Sequence, residues 1–501
     1  MSTLKKFAGQ TAVYGLTTVV SRLLTSILTP IYVNLYPAKI YGIFATMYAW
    51  ASMLNALLAF GMETTFFRYL NKVEDKKKVY STTFFSTAFI VFVFLALIFP
   101  FTDDLANWMH ADGATSIDDY KTFIRLFLGI LVLDALAVIP SAKIRAEGRP
   151  GRYSIIKVIN ILSTVGLNLF FLYVVPWGIK NGYFEFTWFK PHWVGYVFIS
   201  NLLASFITFL LLIPELLKLT LSYDKSLLLQ MLGYSFPILV ANMSFIINEN
   251  LDKVAIKQIL GGDYGDQEVG IYTAVCKLAV FLSIFIQAFR LGAEPFFFSH
   301  AKNKNSGETY AQIMNYFVIV VCFIFAAIVA NIEILKYFIP GGSASQRALY
   351  WSGLQVVPVL LLGYVSLGIY MNLSIWYKLS DQTRFGLYIS GIGALLTLVL
   401  NFIFIPKYSY IASAWISLTA YASMMILSYV LGQKNYPIPY NLKKISGYIL
   451  SSIVIVFLSF NIFNRSLIIG NILLVLFAAG IFYTEKSNIR AILLKNDRSS
   501  N

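Results

Sequence analysis

The chain has 501 residues, of which 58% are hydrophobic and only 13% are charged, and its mean hydropathy is +0.70. A soluble domain usually carries about 25% charged residues, so this composition excludes an ordinary soluble protein and is typical of a polytopic α-helical membrane protein. The net charge of +15 does not indicate nucleic-acid binding, because the lysines and arginines lie mostly in short connectors between apolar runs.

Apolar runs of membrane-spanning length follow one another along the whole chain. They are continuous rather than alternating, which excludes a β-barrel. At a length of about 20 residues each, they predict about fourteen transmembrane helices. In chain order, the predicted helices occupy residues 8–34, 40–62, 80–100, 120–142, 154–175, 193–214, 227–248, 268–292, 308–330, 348–370, 383–405, 410–430, 447–463 and 468–484.

Positive charge is distributed unevenly between the connectors. The segment RYLNKVEDKKK after the second helix and KIRAEGRPGRYSIIK after the fourth are strongly basic, whereas FTDDLANWMHADGATSIDD between them has no lysine or arginine. Basic connectors stay on the cytoplasmic side of a membrane. We therefore expect both termini to be cytoplasmic.

Two sequence echoes are separated by six predicted helices. Helices 2 and 8 both open with Gly-Ile-aromatic, at Gly42 and Gly270, and both close with Gly-x-Glu, at Glu63 and Glu294. Helices 5 and 11 both begin with Arg-aromatic and carry an asparagine near the far end. Chance similarity between apolar segments is the alternative explanation. The common offset predicts two pseudo-symmetric six-helix bundles around a cavity, followed by two further helices and a cytoplasmic tail, with domains at 1–222, 223–436 and 437–501.

Helix 1 carries one arginine, Arg22, near its centre. An arginine facing lipid at that depth costs from about 2.5 to more than 10 kcal/mol. Helical spacing places it on one face with a set of threonines, which favours an aqueous or protein environment. We therefore expect Arg22 to line an internal cavity, and a buried ion pair with Asp134 of helix 4 is the alternative. The threonines of this polar stripe are Thr11, Thr18, Thr25 and Thr29.

Helix 8 supplies two further cations, Lys277 and Arg290. They lie thirteen residues apart in the sequence, or about 20 Å along a helix, so they cannot bind the same small group. Lys277 is a candidate cavity residue, whereas Arg290 is expected to snorkel to the interface or to serve as an entrance charge. Asp134 could take up a proton or a cation, or it could neutralise Arg22.

Several charges lie at predicted helix ends. Glu63 and Arg68 close helix 2, and Glu249, Asp252 and Lys253 follow helix 7. We expect all five to be interface charges or clamps between helices.

Motifs of soluble catalysis are missing from the sequence. It has no phosphate-binding loop, no His-Glu-x-x-His and no nucleophile elbow, and its connectors leave no room for a catalytic domain. The two cysteines, Cys276 and Cys322, lie in apolar runs and suggest neither a disulfide nor a metal site. We therefore expect no enzyme activity, cofactor or metal, and transport driven by an ion gradient, the membrane potential or the substrate's own gradient.

Four stretches form a family pattern through their order and spacing: TAVYGLTTVVSRLLTSILTPIYVNLYPAKIYGIFA, RAEGRPGRYSIIKV, GYSFPILVANMSFIINENLDKVAIKQILGG and VGIYTAVCKLAVFLSIFIQAFRLGAEPFFF. Together they resemble the polysaccharide flippases of the multidrug/oligosaccharidyl-lipid/polysaccharide exporter superfamily. The resemblance implies two six-helix lobes in a V shape and about fourteen helices. It also implies movement of an undecaprenyl-diphosphate-linked oligosaccharide across a bacterial inner membrane.

The resemblance carries Arg22 and Lys277 over as cations that attract the diphosphate, because similar proteins have basic residues in the amino-terminal lobe and in helix 8. The chain departs from the pattern by having lysine at Lys253 and Lys277. A lysine lacks the bidentate fork of arginine, which weakens the expected grip on a diphosphate.

The leading expectation is a flippase for O-antigen, capsule or a similar polymer, with Arg22, Lys277 and Arg290 binding the substrate. Its expected partners are the lipid-linked oligosaccharide, membrane lipids, a polysaccharide polymerase and other assembly proteins, and no nucleic acid. The alternatives are a drug/cation antiporter of the same superfamily, a peptidoglycan-precursor flippase and a polytopic polysaccharide polymerase. The antiporter would favour acids over bases in its cavity, and the polymerase would need a larger outer loop.

Overall fold

The computed structural model describes residues 20, 23–110, 115–300, 305–380 and 382–497, and regular structure within these ranges is helical. Twelve of the described helices are long and apolar enough to cross a membrane. The spans are α1 (Leu23–Leu35, a shorter apolar helix), α2 (Ala38–Lys72), α3 (Lys76–Met109), α4 (Ile117–Ala146), α5 (Pro150–Lys180), α6 (Gly195–Leu216), α7 (Lys225–Leu260), α8 (Gly262–Glu294, continuing to His300), α9 (Ser306–Ala330), α10 (Ala344–Leu379), α11 (384–408), α12 (410–435), α13 (Leu442–Ile462) and α14 (Leu467–Lys486, continuing to Asp497).

The helix Arg384–Asn435 consists of two spans. At 52 residues it would be about 78 Å long, more than twice the thickness of a bilayer core. Ser409 interrupts it with a φ of 50° and a ψ of −142°. The break falls between the two predicted helices 383–405 and 410–430. With this division, the described residues hold thirteen long apolar helices and the shorter α1, which covers the described part of the first predicted helix, and the all-α membrane fold is confirmed.

Local sequence signals set several helix ends. Ser116 caps the start of α4 by accepting a hydrogen bond from the backbone N–H of Asp119 at 3.2 Å. Acidic residues in the first turn of this helix and basic residues in its last turn complement its dipole. Asp224 caps α7 in the same way, and a hydrogen bond from Lys78 lowers the pKa of this carboxyl.

The chain forms two compact units. Unit 1 comprises residues 1–277, 339–353 and 383–420, and unit 2 comprises residues 278–338, 354–382 and 421–501. The domain boundaries at 222 and 436 stay a prediction.

A close helix crossing in unit 1 joins α2 and α8. A Cβ atom on Gly42 would lie 1.7 Å from the carbonyl oxygen of Asp266, and one on Gly270 would lie 1.9 Å from that of Ala38. Only glycine permits two backbones to approach this closely. These two glycines are the equivalent positions of the Gly-Ile-aromatic echo, so the repeated motif builds both sides of one crossing.

The helix α7 was predicted to end at residue 248, but it continues to Leu260. Glu249, Asp252 and Lys253 therefore lie two to three turns inside it. Lys253 Nζ is 2.9 Å from Asp252 Oδ1, and Lys257 Nζ is 2.5 Å from Asp266 Oδ2 in a buried pair. Charges can occupy a membrane-spanning helix at this depth when each has an opposite charge beside it.

Candidate functional site

The two predicted cations of α8 have different surroundings. Lys277 lies at the middle of the helix and is half-buried, next to the fully buried Val275, Leu278 and Ala279. Arg290 lies one turn before the end of the span and is exposed. Their separation along one helix is about 20 Å, as expected, so the structure does not bring them into one site.

Arg22 lies outside the described residues, and its expected cavity position stays a prediction. Two threonines of its polar stripe are described. Thr25 is exposed, whereas Thr29 is buried close to Tyr41 of α2. The last described position of the stripe therefore faces protein rather than lipid.

Asp134 has partners on two neighbouring helices. Ser205 of α6 donates a hydrogen bond to Asp134 Oδ1 at 2.7 Å, and Lys157 of α5 lies within electrostatic range. The carboxylate is half-buried, in the middle part of α4. Its hydrogen bond to a serine satisfies one oxygen without neutralising its charge.

Arg290 lines a cavity in unit 2, which we call the α8–α10 cavity. The side of α8 contributes Arg290 and Glu294, and the side of α10 contributes Asn372, Ser374 and Lys378. Lys378 Nζ lies 2.7 Å from Glu294 Oε1. Aromatic rings complete the wall, namely Phe289, Phe297 and Phe317. The mixture of donors, one carboxylate and apolar rings suits a ligand with both polar and apolar parts.

The pairing of Glu294 has an equivalent in unit 1. There Glu63, which closes the Gly-x-Glu of α2, accepts a hydrogen bond from Arg145 Nη2 at 2.5 Å. Arg145 is the penultimate residue of α4, and Lys378 is the penultimate residue of α10. We call the two pairs the unit 1 clamp (Glu63–Arg145) and the unit 2 clamp (Glu294–Lys378). The unit 1 clamp joins α2 to α4, and the unit 2 clamp joins α8 to α10.

The clamps show what sequence reasoning missed. Glu63 was expected to be an interface charge or a clamp between helices, and it forms a clamp, but its partner was not foreseen, and Lys378 and Asn372 were not considered. The six-helix offset contained a signal for Lys378, since it places a base at the end of α10 wherever α4 ends with one. Asn372 has no such signal, because its position beside Arg290 depends on tertiary packing alone.

The basic connector between α4 and α5 surrounds a buried carboxylate. Glu215 of α6 has no exposed side-chain surface, and it pairs with Arg149 at 2.8 Å, with Lys218 at 2.8 Å and with Arg152 at 3.3 Å. These contacts tie the start of α5 to the end of α6. Part of the positive charge at this connector is therefore neutralised within the protein.

Among the described residues, no group of three or more histidines, cysteines or acids is placed to hold a metal ion.

Two family models match the sequence. The family model described as polysaccharide biosynthesis protein matches residues 7–299, more than half of the chain, and the model described as MatE matches residues 237–403. No curated protein matches the sequence.

Solved structures share the fold at low sequence identity. The lipid II flippase MurJ in an inward closed conformation has a TM-score of 0.71 at 14% identity, over 94% of this chain and 98% of that one. An inward-facing multidrug resistance MATE family transporter has a TM-score of 0.65 at 14% identity, over 85% and 95%. A MOP superfamily transporter from Pyrococcus furiosus has a TM-score of 0.58 at 16% identity, over 88% and 95%.

Proposed function

Because the chain belongs to the polysaccharide biosynthesis protein family, we propose that it flips an undecaprenyl-diphosphate-linked oligosaccharide for surface polysaccharide biosynthesis. The oligosaccharide moves from the cytoplasmic to the outer leaflet of a bacterial inner membrane by alternating access. The observation that carries the proposal is Lys277, a half-buried cation at the middle of a membrane-spanning helix. A fold shared with a lipid flippase and with multidrug transporters supports it.

Charge is the reason that Lys277 supports an anionic cargo. The deep acids Asp252 and Asp266 already pair with Lys253 and Lys257. Lys277 places a further positive charge at the middle of α8. A diphosphate crossing a low-dielectric layer needs such charge, since an unpaired anion at bilayer depth is costly.

Two alternatives have observations in their favour. The match to the MatE model and the carboxylate Asp134 favour a drug/cation antiporter. The likeness to the lipid II flippase favours a peptidoglycan-precursor cargo. Against the antiporter, two of the deep acids, Asp252 and Asp266, already pair with lysines, and a cation-binding cavity needs acids that are not neutralised.

The test is genetic, in the host bacterium. We expect K277A and R22A each to lower surface polymer at least tenfold and to leave lipid-linked repeat units in the cytoplasmic leaflet, where an outside probe does not label them. The matched control is K434A, which removes an exposed lysine near the end of α12. Wild-type surface polymer in both K277A and R22A contradicts the proposal.

The same strains separate the alternatives. Accumulation of peptidoglycan precursor with normal surface polymer indicates the peptidoglycan-precursor flippase. Loss of drug tolerance with normal surface polymer indicates the antiporter. Repeat units that reach the outer leaflet but remain unpolymerised indicate a polymerase. The proposed orientation, with both termini cytoplasmic, places the basic connectors on the side from which the charged cargo is loaded.

A further inference from the structure

The connector between α5 and α6 forms one side of a pocket in unit 1, which we call the α5–α6 pocket. It has a volume of about 220 Å³ and is bordered by the end of α1, the end of α5, the connector and the start of α6. Its floor is buried or half-buried and contains Tyr36 of α1, Phe171 and Leu172 of α5, and Tyr196 of α6. A cavity of about 150 Å³ admits a benzene molecule, so this pocket has room for a larger apolar group.

A distortion of α5 lies at the pocket. The helix widens to a π-helical turn over Phe170–Val174, and this turn contains the lining residues Phe171 and Leu172. Pro176 follows it, and a proline inside a helix lacks an N–H and crowds the carbonyl group four residues before it, here that of Leu172. A wider turn gives that carbonyl group more room. π-Helical turns are frequent at functional sites, so the irregular helix is a second reason to examine this pocket.

The floor of the pocket has its polar groups hydrogen-bonded within the protein. The ring of Tyr196 stacks with Phe171 at 5.5 Å and with Phe189 at 4.9 Å, each at an interplanar angle of 10°. The hydroxyl of Tyr36 donates to the carbonyl oxygen of Trp193, and that of Tyr196 accepts from a backbone N–H of the connector. Among the described residues of the lining, no buried side-chain polar atom lacks a hydrogen bond. Such a floor suits a hydrocarbon better than a sugar, because buried sugar hydroxyls need partners.

The rim of the pocket is exposed and basic. Lys180 at the end of α5 and His192 of the connector line it, and both side chains are exposed. The described lining contains no acid. Lys180 supplies a positive charge, and the imidazole of His192 can donate a hydrogen bond. The combination suits an anionic oxygen group that is attached to an apolar chain.

The depth of the pocket matches the boundary between lipid head groups and acyl chains. The helix α5 has 31 residues and is about 46 Å long, whereas a bilayer is about 30 Å thick across its hydrocarbon core and about 40–45 Å with its head groups. Lys180, its last residue, is therefore level with the head groups, and Phe171 lies about 14 Å deeper along the helix. Exposed aromatic side chains of the kind found at membrane interfaces surround this level, namely Trp177, Tyr183 and Trp188.

We propose that the α5–α6 pocket binds a phospholipid of the outer leaflet, where α5 ends in the proposed orientation. The phosphate contacts Lys180 and His192 at the rim. One acyl chain passes Ile179 and reaches the stacked rings of the floor. Because Leu35 and Tyr36 of α1 line the same pocket, the lipid joins the end of α1 to α5 and α6. The site is separate from the cargo, so it does not depend on the proposed function.

The experiment uses the full-length protein in nanodiscs of phosphatidylcholine that contain a phosphatidylglycerol with a diazirine at the end of one acyl chain. Irradiation expels N₂, the resulting carbene inserts into a nearby bond, and peptide mass spectrometry locates the label. We expect segments 171–179 and 189–196 to be labelled at least fivefold more than segment 89–97 of α3, which has several exposed apolar side chains. I179W fills the pocket and should lower this labelling at least fivefold. K180Q should lower it about fivefold, the effect of about 1 kcal/mol for one lysine at a lipid surface.

Controls keep occupancy and folding apart. K434Q is the matched control for K180Q, because it also removes an exposed lysine, and it should be labelled as the wild type is. Thermal unfolding checks I179W, and K180Q alone decides the test if I179W unfolds at a lower temperature. The proposal is overturned if the pocket is labelled no more than α3, or if a stably folded I179W or K180Q is labelled within twofold of the wild type. Stronger labelling of the pocket by a diazirine-bearing disaccharide than by the lipid would make a sugar the occupant and would also overturn it.

Discussion

The unit 1 clamp and the unit 2 clamp have the same sequence pattern but different surroundings. In unit 1, Gly61 ends the straight part of α2 with a φ of +67°, and a Cβ there would lie 2.9 Å from the carbonyl oxygen of Ser235. In unit 2, Gly292 lies inside a continuous helix, and a Cβ there would meet no atom of the described residues within 4 Å.

The basic partners of the two glutamates also differ in how closely they are packed. Arg145 lies 5.3 Å from the ring centroids of Phe67 and Tyr153, so its guanidinium is packed as well as paired. Lys378 instead borders the α8–α10 cavity. The comparison teaches that one copy of a repeated clamp is a packed structural joint, whereas the other borders a small cavity.

Alanine substitution of Gly61 and Gly292, the glycines of the two Gly-x-Glu motifs, gives the largest expected contrast in stability. G61A should lower the free energy of unfolding by about 1–2 kcal/mol, because the left-handed conformation is unfavourable for a side chain. G292A should not destabilise, and it should gain about 0.5–1 kcal/mol, because alanine replaces glycine inside a helix with open space around it. Thermal unfolding in detergent micelles measures both, and equal shifts would erase the difference between the clamps.

Removal of the carboxylate charge should affect the stability of the two clamps unequally. E63Q should lower stability by up to about 1 kcal/mol, since the pair with Arg145 is partly exposed. E294Q should lower it less, by up to about 0.5 kcal/mol, because lysine lacks the planar fork with which arginine holds a carboxylate. Thermal unfolding of the two purified variants measures the difference, and a larger loss in E294Q would contradict it.

Exchange of arginine and lysine between the two clamps gives the smallest expected effect on stability. R145K should cost about 0.5–1 kcal/mol, because lysine loses the stacking of the guanidinium between two aromatic rings. K378R should leave stability unchanged, since no ring contact is replaced. Chemical unfolding of both variants side by side measures the difference, and a loss in K378R as large as that in R145K would show that the two joints are packed alike.

Much of the fold could be predicted from the apolar segments and from the proline and polar residues that interrupt them. The two predicted helices on either side of residue 409 were correct because a proline, Pro406, and polar residues interrupt one apolar run there. The end of α7 was placed too early, because Glu249, Asp252 and Lys253 look like an interface in a sequence. Ion pairs within and beyond the segment let the helix continue, and pairing between distant residues is invisible to local hydropathy.

The candidate site was predictable only in part. Arg290 could be identified because a charge near the end of an apolar helix is conspicuous, and it does line a cavity. Asn372 is a common residue in membrane helices, and only its burial without an acceptor distinguishes it. Such a property depends on the packing of α8 against α10, which neither helix encodes alone.

The glycine crossing of α2 and α8 brings together equivalent positions of the two repeats. In a pair of identical chains related by a two-fold axis, a residue on that axis faces its own copy. Gly270 approaches Gly42, its counterpart in the other repeat, so closely that a Cβ on it would lie 3.1 Å from the Gly42 nitrogen. The two equivalent glycines therefore meet as a residue and its own copy would meet on the two-fold axis of a dimer.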